Sequence, residues 1–124
     1  MGATDRAQRL QSDLRSAISD NIKALRIQRR AAIQARDTAA VDSLDVSIGK
    51  LQEQRDDLSF LSLEALEDSE ELRQTIAELT EAADALKDEA DNIKTVAGAL
   101  EKGARIIDQA VTVIEKLRRF VPFP

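Results

Sequence analysis

The sequence predicts an all-α protein, an antiparallel helical bundle or coiled coil, and three observations carry that expectation. Apolar residues recur at steps of three and four along most of the chain, the spacing that lines one face of a helix. The only two prolines are Pro122 and Pro124, and the only glycines are Gly2, Gly49, Gly98 and Gly103. A sheet protein needs many more turn residues than this. Finally, 43% hydrophobic and 33% charged residues match helices with one apolar stripe and one solvated face. At 124 residues the chain suffices for one domain, 1–124.

The first helix is expected over about 4–35. Leu10, Leu14, Ala17, Ile18, Ile22, Leu25 and Ala32 share one broad face, and Thr4 or Asp5 is a candidate cap. Arg36-Asp37-Thr38 interrupts it, with Asp37 or Thr38 placed to cap the next helix. So short a connection turns the chain back as an αα-hairpin.

The second helix is expected over about 38–62. Val41, Leu44, Ile48, Leu51 and Leu58 form its stripe, with Arg55 at one stripe position. The stripe weakens at Ser62, Ala65 and Ser69, and Asp68-Ser69-Glu70-Glu71 reads as a new helix start, a cap followed by acids in the first turn. A turn is therefore expected within 60–69. The heptad phase of 41–58 nevertheless runs unshifted into 72–114, which keeps one helix over 39–119 as an alternative.

The third helix is expected over 69–119. Its seam alternates steps of four and three without a fault: Leu72, Ile76, Leu79, Ala83, Leu86, Ala90, Ile93, Ala97, Leu100, Ala104, Ile107, Val111 and Ile114. Some six heptads of this kind indicate a coiled-coil-like helix, about 75 Å long. A break at Gly98 would normally shift the phase. Alanines at one seam position opposite Leu or Ile at the other predict a closely approaching partner helix. Partners of about 30 residues would leave part of such a seam uncovered. These thirteen positions are the candidate interaction seam, read first as the core of an intramolecular bundle and second as a surface for a second copy or another helical protein.

The chain has no His, Cys, Trp or Tyr. That removes zinc sites built on His or Cys, the Glu-x-x-His di-iron site of helical bundles and Ser-His-Asp or Cys-His nucleophiles. The aromatics are Phe60, Phe120 and Phe123, too few to stack successive bases. Nothing favours one carboxylate pair for acid/base work. The expectation is a protein with no catalytic, cofactor or metal site, and not an enzyme.

The net charge of −5 argues against nucleic acid as a partner. The charge is uneven: residues 1–55 carry net +3, 56–100 net −10 and 101–124 net +2. The cluster Arg26, Arg29, Arg30 and Arg36 is expected to face the acidic stretch Asp56–Asp91 or to be solvated. Segment 104–123 has a wide apolar face, including Ile106, Ile107, Ala110, Val111, Val113, Ile114 and Leu117, beside Lys116, Arg118, Arg119 and Phe120. Burial in the bundle is the first reading of it. A membrane-active amphipathic helix is the alternative and ranks second. Pro122 is expected to stop the helix and the tail to fold onto the bundle end. Neither a secretory signal nor a run apolar enough to span a bilayer is visible, so the expected location is cytoplasmic. The sequence thus points to a non-enzymatic, acidic interaction or scaffold module acting through heptad seams, with self-association the first expectation.

Overall fold

A computed structural model describes residues 2–63 and 66–121. Four helices occupy them: α1 (Ala3–Gln34), α2 (Thr38–Phe60), α3 (Glu70–Asp91) and α4 (Val96–Arg118). The fold is all-helical, with no strand among the described residues.

α1 follows the expected face; Leu10, Leu14, Ala17, Ile18, Ile22, Leu25 and Ala32 are all buried. No side chain caps its start, where Gly2 occupies the N-cap. Its C-terminus closes as a Schellman motif: the amide of Asp37 donates to Ala32 O and that of Arg36 to Ile33 O, satisfying two terminal carbonyls. Arg36 takes φ 57° there, the left-handed region that glycine usually fills. Asp37 then caps α2, accepting from the Ala40 amide at 3.1 Å, and α2 returns along α1. The pairs Arg29–Asp45, Ser19–Arg55 and Gln11–Leu58 mark the antiparallel register. Gln11 Nε2 donates to both Leu58 O and Leu61 O, at 2.7 and 3.0 Å, so α1 satisfies carbonyls that the end of α2 leaves open.

The turn expected within 60–69 is present. Ser69 caps α3, accepting from the Leu72 amide at 3.1 Å, with Glu70 and Glu71 in the first turn. The single helix over 39–119 is thereby excluded. Leu63 and Leu66 are buried, anchoring this connection on the core; the seam position Ala65 lies outside the described residues. α3 runs parallel to α1. Asn21 of α1 donates to Leu86 O of α3 at 2.8 Å. An antiparallel α3 would then begin about 40 Å from the end of α2, whereas ten residue steps reach about 34 Å.

The expected three helices, with a long C-terminal helix over 69–119, are corrected to four. The helix ends at Asp91 and restarts at Val96. Asn92 closes α3, and Thr95, in extended conformation, accepts from the Gly98 amide at 2.9 Å to cap α4. The break therefore precedes Gly98 by a few residues, and Thr95 caps the helix that follows it. α4 then runs back along α3, with Arg105 on Glu89 at 2.8 Å and Lys116 on Glu78 at 2.6 Å.

Around the bundle the order is α1, α2, α4, α3. α1 packs against all three others, while α2 and α3 lie on a diagonal and do not meet. Leu10, Leu25, Leu44, Leu51, Leu72, Leu86 and Leu117 are among the side chains at 2% exposure or less; full burial of each is worth ~1.5–3 kcal/mol. α4 comes close to α2 at Gly103, where an added Cβ would stand 3.0 Å from Ser47 Oγ. Among the described residues one polar side chain is wholly buried, Asn21, with Nδ2 on Ala17 O and Leu86 O and no partner for Oδ1.

Candidate interaction surface

The structure divides the sequence-derived seam into two parts. Leu72, Ile76, Leu79, Ala83, Leu86, Ala90 and Ile93 are buried, forming the inward face of α3 and the turn after it. Beyond the turn the seam leaves the core. Ala97, Leu100 and Ala104 are exposed, Ile107 and Val111 are half-buried, and only Ile114 is buried. The buried face of α4 is instead Ala99, Gly103, Ile106, Ala110, Val113, Ile114 and Leu117. The residues between Asp91 and Val96 rotate α4 about its axis, so a seam continuous in sequence becomes discontinuous in space.

The stripe 99, 103, 106, 110, 113, 117 steps by four and three just as 97, 100, 104, 107, 111, 114 does. Both are present in the sequence as apolar positions with the same period. Gly103, an interruption by helix propensity alone, is what lets the first stripe approach α2.

The exposed stripe lies on the flank of α4 nearer α2. Gly103 faces Ser47, and α2 and α4 run in the same direction, which places Ser43, Ser47 and Lys50 alongside Leu100, Ala104 and Ile107. Ser43 and Lys50 are exposed and Ser47 is half-buried. Leu100 keeps 40% of its surface, and Val46, elsewhere on α2, keeps 57%. On the side of the stripe away from α2, Glu101, Asp108 and Glu115 recur every seven residues as an acidic border.

A second concavity of about 280 Å³ lies between α3 and α4. Ala82 and Ala85 are too short to fill it; Leu79 and Val113 form apolar wall, and the Glu78–Lys116 and Glu89–Arg105 ion pairs close its ends. Gln109 Oε1 is buried beside it without a hydrogen-bond partner.

Of the two outcomes expected for the basic cluster, the structure shows the solvated one at Arg26, Arg30 and Arg36, which are exposed; no ion pair joins the cluster to the acidic stretch among the described residues. Arg26, Arg29 and Arg30 line a groove of about 380 Å³ with Asp45 and Ile48 of α2. The Arg29 guanidinium binds Asp45, which holds its pKa above the ordinary value through that hydrogen bond and the adjacent charge. α3, which carries most of the acidic stretch, is on the other flank of α1. Among the described residues no three acidic side chains converge as a metal site, and no helix is long and apolar enough to cross a membrane. Of segment 104–123, Ile106, Ala110, Val113, Ile114 and Leu117 are buried in the bundle, and Lys116 is ion-paired. Pro122, Phe123 and Pro124, with the expected tail contact, lie outside the described residues.

Comparison with known proteins adds no likeness: no family model, no curated protein and no solved structure matches the chain.

Proposed function

We propose that this protein is a non-enzymatic association module, and that a second copy of the chain covers the outer stripe of α4 together with the adjoining edge of α2. The observation that carries the proposal is the doubled apolar pattern of α4. One stripe is used by the chain's own core, and the other, with the same steps, stays exposed or half-buried from Ala97 to Val111.

Self-association fits this stripe better than another occupant does. A two-fold interface needs a self-complementary patch. Small Ala97, Ala104 and Val111 alternate with large Leu100 and Ile107, which lets two identical stripes interdigitate. From residue 97 to 111 the stripe is about 21 Å long, and with the α2 edge the patch is roughly 20 Å wide. That is at the low end for a specific interface, so association in the micromolar range is expected rather than a permanent dimer. Charge selects the direction. Antiparallel pairing of α4 on α4 would set the Glu101, Asp108 and Glu115 border against its own copy. A two-fold axis along the helices sets that border beside Lys50 instead, so the parallel arrangement is favoured.

A membrane surface is the lower-ranked reading, because the widest apolar part of 104–121 is turned into the bundle. The test is molar mass by light scattering over a concentration series, detected by refractive index because the chain has no Trp or Tyr. The mass should rise from 13.7 kDa toward twice that value, and Leu100→Glu should suppress the rise while leaving the helical spectrum unchanged. A monomer at every concentration refutes the proposal.

A further inference from the structure

The same bundle holds two unsatisfied charge surfaces on different sides. On α1, the contacts of Ser19 with Arg55 and of Arg29 with Asp45 fix the flank that faces α2. Arg15, Lys23, Arg26 and Arg30 stand along that flank at steps of three and four from Ser19, and all four are exposed. Arg26 and Arg30 line the groove between α1 and α2, Arg15 and Lys23 continue the row along α1, and none of the four is ion-paired among the described residues. On α3, Glu81, Asp84, Asp88 and Asp91 follow steps of three, four and three opposite the buried stripe. They too are exposed and without ion pairs among the described residues.

We infer that the basic groove between α1 and α2 receives the acidic face of α3 from a second copy of the chain. Three features of the surfaces support this occupant. The charges are complementary. The acidic row fits within the basic one: about 15 Å from Glu81 to Asp91, against about 22 Å from Arg15 to Arg30, at the helical rise. The periods agree as well, since both rows follow helical steps of three and four. The basic row lies on the flank of α1 that faces α2, and the acidic row lies opposite the buried stripe of α3, so the two rows do not face each other inside the bundle. Because groove and ridge are different surfaces, the contact is head-to-tail and links copies into a ring or an open chain. It is independent of the α4 stripe and adds salt-dependent growth to whatever state that stripe produces.

The experiment is light scattering of the full chain in about 20 mM and about 500 mM salt, where the screening length falls from ~20 Å to ~4 Å. Weight-average mass in low salt should be at least double that in high salt. The double variants Arg26→Glu with Arg30→Glu, and Asp84→Arg with Asp88→Arg, alter only exposed side chains. Each alone should lose the low-salt growth, and an equimolar mixture should regain it, because each supplies the charge the other's altered surface now requires. The inference is overturned if wild-type mass ignores salt, if either variant grows like the wild type, or if the mixture stays as small as its components. Salt-independent mass together with a mobility shift on adding polyphosphate would assign the groove to a polyanion instead. Leu100→Glu should leave the low-salt growth in place, which separates this contact from the α4 one.

Discussion

Leucine substitution at two neighbouring alanines distinguishes the four-helix arrangement from a continuous C-terminal helix. Ala97 belongs to the stripe that continues the α3 seam in sequence; Ala99 does not. In the structure their roles are reversed: Ala99 is 0% exposed and Ala97 is at the surface. Leucine at 99 inserts three carbons into a fully packed site and should cost roughly 1–3 kcal/mol through off-rotamer side chains or backbone shifts. Leucine at 97 meets solvent on at least one side and changes helix propensity little, so the change should stay within about ±0.5 kcal/mol. Urea melts followed by far-ultraviolet circular dichroism measure both, and heat melts should separate them by about 3–6 °C per kcal/mol for a chain of this size. Low protein concentration keeps association from adding to the result. A costly Ala97→Leu beside a neutral Ala99→Leu would refute the break at 92–95, because that pattern belongs to one uninterrupted seam.

Two further substitutions test local features. Thr95→Ala removes the acceptor for the Gly98 amide and should cost about 1 kcal/mol in a urea melt; no change would mean that the α4 cap does not form. Arg36→Gly should stabilise the protein by up to roughly 1 kcal/mol, since φ 57° is strained for arginine and free for glycine, and a loss of stability would count against the Schellman closure.

Much of the architecture was legible because local chemistry and periodicity agreed. Asp37 and Ser69 cap helices where the sequence placed helix starts, and the apolar face of α1 is the buried one. The turn within 60–69 could be found because the stripe fails there at Ser62 and Ser69. The turn at 92–95 was hidden by the opposite circumstance. Ile93 and Ala97 keep the apolar step of four across it, and neither Gly nor Pro marks it. Gly98, the nearest glycine, lies past the turn and is the residue whose amide Thr95 caps. On α4, two stripes with identical steps were both apolar, and periodicity alone cannot select which faces the core. That choice is made by the close approach at Gly103 and Ser47, a long-range contact. The pairing of Arg29 with Asp45, rather than with residues of the acidic stretch, depends equally on topology, because α3 returns beside α1 and leaves α2 on the far diagonal.

The central claim is that the outer stripe of α4 is covered by a second copy, and cysteine accessibility measures it directly. The chain has no cysteine, so Ala104→Cys reports on the stripe alone, with Ala99→Cys as the buried reference. Labelling with a thiol reagent should be fast at position 104 in dilute protein and should slow as concentration rises through the association range, while position 99 stays protected throughout. A labelling rate at position 104 that is the same at every concentration would contradict the account.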